Sequence, residues 1–365
     1  MKKNYFMLAA ATMLFAACAE TDVLVDVSEK ESAPQAIGFE TFVDNATRVT
    51  AATTGLNSHH DKYYVWGYKN TSTDLVFSAE EVNSSDNSYG TDLKYWDKAA
   101  TAYYFYATAP SAFTFVPNGG QNASYFTLSD VELEGTNFTT TLSAIANTTL
   151  KKDGGDIDYM IADTDVPTDG NALFEYVNFN FKHILSRLNV TIKNSTSVNV
   201  VLNSITVNGL KTTATVFNSS LSGLARWTTA GTSEVYTSIG GTVPTTAQYA
   251  LECLLIPQTV SYEEVPLAGL QSYTAPYICV DYKIANCTDN SGVATYESYK
   301  AYYNLAALFG ARTTDDRTTP ENEAEVTFSE ACQSTLNIIF APAGIQFSTS
   351  YTDWASGLSG SANVQ

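Results

Sequence analysis

The chain has 365 residues, a formal charge of -19 and only 16% charged side chains. That length can hold two domains with hydrophobic cores, and 23 Tyr and 18 Phe, set among many Thr and Val, suit pleated, half-buried sheets better than long helices. A pI near 4.4 without a Lys/Arg cluster argues against a nucleic-acid partner, because phosphate-backbone binding needs clustered cations.

The first residues form a targeting segment, separate from the fold. Lys2 and Lys3 supply the positive end, and YFMLAAATMLFAA (Tyr5 to Ala17) supplies an apolar core too short for a permanent membrane span. Ala16 and Ala17 lead directly to Cys18. A cysteine in that place resembles the lipobox of bacterial lipoproteins, in which the thiol is lipidated and becomes the mature N-terminus. Phe15 stands where many such boxes carry Leu, and an ordinary signal cleaved near Ala17 or Ala19 is the competing reading. The acidic stretch after Cys18 resembles the surface-export tag of Bacteroidetes lipoproteins. Glu20 to Gln35 then reads as a flexible tether.

The first strand candidate is IGFETFV, in which Ile37, Phe39 and Val43 share one side of a period-two pattern. It runs toward Arg48, the one Lys or Arg between Glu31 and Asp61. On its own, Arg48 reads as a solvated turn residue between two strands. Further candidates follow between Asn/Gly/Ser/Asp clusters: KYYVWGYK (Lys62 to Lys69), DLVFS, LKYWD, TAYYFYATAP and AFTFVP. YMIA is a short apolar run in a loop-rich interval. VNFNFKHILSRLNVTIKN places Val177, Phe179, Phe181 and His183 on one face, with Leu188, Val190 and Ile192 in step after a break at Ser186.

A domain boundary is placed near Tyr176, dividing the folded part into residues 49–176 and 177–365. The second half continues with ITVNGLK, TATVF, QYALECLLIPQ, PYICVDYKIA and YESYKAYYNLA, and YNLAALF is the best short-helix candidate. Near the C-terminus Leu336, Ile338 and Phe340 line one face, Pro342 to Gly344 turn the chain, and Ile345, Phe347 and Tyr351 follow in alternation. The tail after Trp354 is small and polar and suggests no further strand. Many short strands with turns between them predict an all-β fold of sandwiches.

No motif carries catalytic chemistry. His59, His60 and Asp61 read as a solvated loop rather than a metal site, and His183, beside Phe179 and Phe181, as a hydrogen-bonded, partly buried histidine. Asp165 to Tyr176 fails as a calcium loop because Pro167 and Tyr176 occupy ligand places. GLSGS lacks the second Gly of a nucleophile elbow. Neither cofactor nor metal is expected. Cys253, Cys279, Cys287 and Cys332 permit three pairings and fit no zinc spacing; each lies in or beside an apolar run and reads first as a small hydrophobe.

In order, LFAAC, IGFETFVDNATR, LKYW before YYFYA, IDYMIAD, VNFNFKHILSRLNVTI, LLIPQ and the final Ile/Phe alternation before TDW span nearly the whole chain. This series resembles the fimbrillin family of Bacteroidetes, the subunits and associated proteins of type V pili. The resemblance implies two transthyretin-like β-sandwiches in tandem and export as a lipoprotein through Cys18 to the outer membrane; with no catalytic motif, no enzymatic activity is expected. It also implies an Arg-specific protease that cuts after Arg48, leaving Val49 as the N-terminus. Residues 1–17 are then signal peptide and residues 18–48 a lipidated tether with a removable strand. Other pilus subunits are the implied partners in a head-to-tail polymer at the cell surface, with possible adhesive function. The C-terminal hairpin is either the donor to a neighbour or the end of the second sandwich. A surface glycan-binding lipoprotein, its tyrosines stacking on sugars, is the alternative reading.

Overall fold

The computed structural model describes residues 34–43, 56–58, 60–117, 124–133, 157–164, 176–229, 233–263, 275–288, 293–309, 325–353 and 359–364. Cys18, His59, Arg48 and Val49, with the segment 165–175, lie outside them. Residues 35–365 form one compact unit.

The first strands are β1 (Phe39–Val43), β2 (Lys62–Lys69), β3 (Leu75–Asn83), β4 (Tyr103–Ala109), β5 (Thr114–Val116), β6 (Tyr125–Glu132), β7 (Met160–Thr164) and β8 (Val177–His183). Then come β9 (Ser186–Asn194), β10 (Val200–Lys211), β11 (Thr213–Asn218), β12 (Trp227–Thr229), β13 (Ser233–Thr242), β14 (Gln248–Leu255) and β15 (Gln258–Ser261). The last are β16 (Tyr277–Thr288), β17 (Ala294–Asn304), helix α1 (Leu305–Phe309), β18 (Glu325–Phe328), β19 (Cys332–Ala341), β20 (Gly344–Asp353) and β21 (Ser359–Val364). The fold is all-β, as composition predicts.

Two pairs of sheets make two sandwiches. The first pairs a six-stranded sheet, ordered β1-β8-β7-β4-β2-β3, with a four-stranded one, β12-β11-β6-β5. Alternation along β2 and β4 divides their aromatics between two cores. Trp66, Tyr68 and Tyr106 face the four-stranded sheet and meet Phe126, Phe217 and Trp227. Tyr63, Tyr103 and Phe105 face the other way, joining Phe39, Phe77 and Phe179. The six-stranded sheet is rolled. β1 and β3 are its opposite edges, yet the rings of Phe39 and Phe77 are 5.3 Å apart.

The second sandwich packs β13-β10-β16-β17 against β14-β9-β19-β20-β21. Its core holds Leu188, Val190 and Ile192 from β9, Leu202 and Ile205 from β10, and residues of β19. Helix α1 closes one end, with the Phe309 ring 5.7 Å from Phe328 and 5.9 Å from Tyr351.

Three sequence expectations are corrected. The division after Tyr176 does not follow the sheets, because β8 pairs with β1 and β7, and β11 pairs with β6. The hydrophobic run from Val177 to Ile192 hides a switch of sheet at Ile184 and Leu185, both buried. LKYWD is not a strand; within it Tyr95 makes an isolated bridge to Ala36. The polar tail does form a strand, β21, which pairs antiparallel with β20. A sheet edge needs only main-chain partners, so side-chain pattern gives no warning of it.

Candidate functional site

The segment Gln35–Val43 lies in a groove lined by backbone on two sides. From Phe39 to Val43 it runs parallel to β8, in a register that pairs Phe39 with Val177 and Val43 with Phe181. The Val177 amide donates to the Gly38 carbonyl at 2.9 Å. On the opposite side the Ile37 amide donates to the Lys94 carbonyl at 2.8 Å, and the Trp96 amide to the Gln35 carbonyl at 3.0 Å. The Tyr89 hydroxyl donates to the Ile37 carbonyl at 2.8 Å. The side chains that alternation put on one face, Ile37, Phe39 and Val43, are all buried. Burying three such residues contributes about 5–8 kcal/mol of gross transfer free energy.

Phe39 is 2% exposed. Ring centroids of Phe77, Tyr89, Phe105 and Phe179 lie 5.3, 5.5, 6.4 and 5.6 Å from its own. This cage draws on β3, the loop after it, β4 and β8, so one side chain ties together both edges of the rolled sheet.

At the other end of β1, two residues past Phe181, lies a buried polar cluster. His183 Nδ1 is 2.9 Å from Asp158 Oδ2, and both side chains are buried. His60 lies close enough to feel both groups electrostatically. It is buried, and its Nε2 has no hydrogen-bond partner among the described residues. Within the loop expected to be solvated, His60 is thus buried, while Asp61 beside it is exposed. Burial holds the His60 imidazole below its ordinary value of 6.5, a shift that Asp158 and Asp61 oppose and His183 reinforces. Among the described residues no cluster of His, Cys, Asp and Glu is arranged to hold a metal ion.

The C-terminal hairpin is built into the second sandwich. β19 pairs parallel with β9 on one side and antiparallel with β20 on the other. Leu336, Ile338, Phe340 and Phe347 are buried, while Ile345 and Tyr351 pack against the same core. Cys253 is buried and its thiol donates to the Leu188 carbonyl at 3.8 Å, while Cys279 and Cys332 are half-buried. Many tyrosines serve packing: Tyr63, Tyr68 and Tyr103 are among the largest fully buried side chains.

The sequence pattern of the fimbrillin-like family matches residues 47–354. The chain belongs to the fimbrillin-like family. The solved structure of a candidate cell adhesion protein from Bacteroides uniformis is 14% identical, covering 87% of this chain and 99% of its own, with a TM-score of 0.45. Another, from Bacteroides ovatus, is 11% identical, covering 88% and 99%, with a TM-score of 0.46. No curated protein sequence matches.

In this fimbrillin-like chain the matched region begins at residue 47, so β1 lies outside it. Sequence reading picked out the buried face of β1 but missed the groove's other wall. Lys94 and Trp96 reach Ile37 and Gln35 through main-chain bonds, and Tyr89 reaches Ile37 through its hydroxyl and Phe39 through its ring.

The polar cluster makes a pH prediction for the same fimbrillin-like chain. Unfolded His60 takes up a proton near pH 6.5, whereas the folded imidazole resists it. The stability from keeping His60 neutral is therefore fully present above pH 6.5. It is lost as the pH falls from there toward the lower folded value. Urea midpoints measured between pH 8 and pH 5 should fall on acidification, and His60→Gln should flatten that slope. An unchanged slope in the variant would exclude His60 as the source.

Proposed function

We propose that the protein is a structural or accessory subunit of a cell-surface type V pilus, in which β1 is a temporary strand exchanged for one from a neighbouring subunit. The observation that carries this reading is the seat of Gln35–Val43, bonded by backbone to both β8 and residues 94–96. A strand held mainly by main-chain hydrogen bonds and alternate side-chain pockets can be replaced by another of the same pattern.

On this reading Cys18 carries lipid and holds the precursor at the outer membrane. An Arg-specific protease cuts after Arg48 and leaves Val49 as the N-terminus. Loss of Ile37, Phe39 and Val43 opens an apolar groove and two unpaired edges, a poor state for a domain in water. A neighbour's strand fills it. Donor end and acceptor groove are different surfaces, so the contact is heterologous and propagates into a filament.

The donor is expected near the C-terminus. Leu336, Ile338 and Phe340 are held between β9 and β20, and withdrawing β19 would open the second core. The ribbon of β20 and β21 has one ladder to release, that with β19. Along β20, Ile345, Phe347 and Tyr351 reproduce the spacing of Ile37, Phe39 and Val43, with Thr349 in the place of Thr41. This ribbon is the better candidate for donation.

Purified precursor should remain monomeric until an Arg-specific protease is added, and then give ladders on a native gel. Intact mass should show a chain beginning at Val49. Arg48→Ala should abolish both changes. Ladders from the variant would overturn the maturation scheme, and tight polysaccharide binding without ladders would favour a glycan-binding role.

A further inference from the structure

The groove is not a uniform slot. At the Phe39 position the cage is sized for a ring, and β2 contributes to that size through a residue without a side chain. A Cβ on Gly67 would lie 2.7 Å from Phe105 Cδ1 and 3.1 Å from Phe77 Cδ2. Gly67 therefore lets both rings settle onto the sheet and frame Phe39. Any shorter side chain at this position of the inserted strand would leave a void that close-packed neighbours fill only in part.

One residue earlier the groove imposes the opposite demand. A Cβ on Gly38 would lie 2.5 Å from Tyr176 Cε1 and 2.6 Å from Cδ1. The Tyr176 ring thus rests on the backbone of the inserted strand at Gly38. It is 63% exposed, so it can swing aside, but a strand with any other residue there forfeits the ring contact. Leu93 and Tyr95, also exposed, lie on the opposite wall, so the mouth of the groove has an apolar rim on both sides.

We infer that the groove selects its strand by sequence, taking an aliphatic residue, then glycine under Tyr176, then an aromatic residue in the cage, and that it takes such a segment from another protein in preference to the weaker-fitting β20 of a second copy. This rests on the strand-replacement reading. β20 offers Ile345 and Phe347 at the correct spacing but carries Gln346 where the groove takes glycine. Self-insertion is disfavoured at that one position, which favours addition of a different subunit over a homopolymer. Loss of a single contact from a side chain that can move gives about tenfold discrimination, whereas an empty cage gives about a hundredfold or more.

The intact chain tests the selection within one molecule. Gly38→Gln should speed hydrogen exchange of the Val177 amide, the group bonded to the Gly38 carbonyl, by about tenfold. Adding Tyr176→Ala should return it to within about threefold of Tyr176→Ala alone. An equal effect of Gly38→Gln with and without Tyr176 would overturn the proposed gate. In the second arm, peptides are added to full-length protein during digestion by the Arg-specific protease. The peptide IGFETFV should block ladders at about a tenth of the concentration needed for GIQFSTSY, and Tyr176→Ala should erase the difference. Equal potency on the unmodified protein would refute the preference for another protein's strand over that of a second copy. If digestion gives no ladders and neither peptide binds the digested protein, strand replacement fails, while the exchange measurement still decides whether the groove reads Gly38.

Discussion

Phe39→Ala should destabilise the intact chain by about 3–5 kcal/mol, the usual range for emptying a buried phenylalanine site. The cage cannot collapse onto the void easily. Phe77, Phe105 and Phe179 are each on a strand; besides Phe39, Phe77 packs on Phe105 and Tyr89, and Phe179 on Tyr63 and Phe181. The loss should appear as a lower urea midpoint and as faster exchange of the β8 amides that face β1. Phe42→Ala, at a half-buried position outside the cage, should cost much less, below about 1.5 kcal/mol. If the two variants fell together, burial of β1 would not be what closes the first sandwich.

Ile338→Ala should cost about 2–5 kcal/mol. Ile338 is fully buried, opposite Ile192 on β9 and Phe347 on β20, so strands flank its site on both sides. A chain stopped at Asp353 loses β21 but retains the whole β9-β19-β20 ladder, and it should stay close to the full chain in urea midpoint. That contrast separates the two C-terminal elements: β19 is core, and β21 is an edge. Equal losses would mean that β21 supports the second sandwich and is not free to leave with β20.

The legible parts of this fold are those whose side chains alternate against a core. β2 begins and ends where KYYVWGYK does, and β8 shows Val177, Phe179 and Phe181 buried between exposed neighbours. β6 and β13 were not legible. β13 reads SEVYTSIGGT, a Ser/Thr/Gly sequence that joins its sheet through main-chain pairing with β10. The groove was half legible for the same reason. Ile37, Phe39 and Val43 announce a buried face, but period-two patterning holds no information on which distant strand lies beside it. The parallel pairing of β1 with β8, and the wall at residues 94–96, follow from topology. Glycine under Tyr176 is invisible in sequence, since a Gly in a strand reads only as a weak point until its neighbour is known.

β8 passes into β9 through only Ile184 and Leu185, and both strands have parallel neighbours: β1 for β8 and β19 for β9. A replacement strand in the seat of β1 would therefore transmit tension to β8 along its own axis. The covalent backbone would carry that load to β9, and β9 would deliver it to β19, again in shear. Ladders loaded this way resist as a set, because their hydrogen bonds must fail together rather than unzip in turn. A fibre of such subunits would owe its tensile strength to that uninterrupted run of main chain.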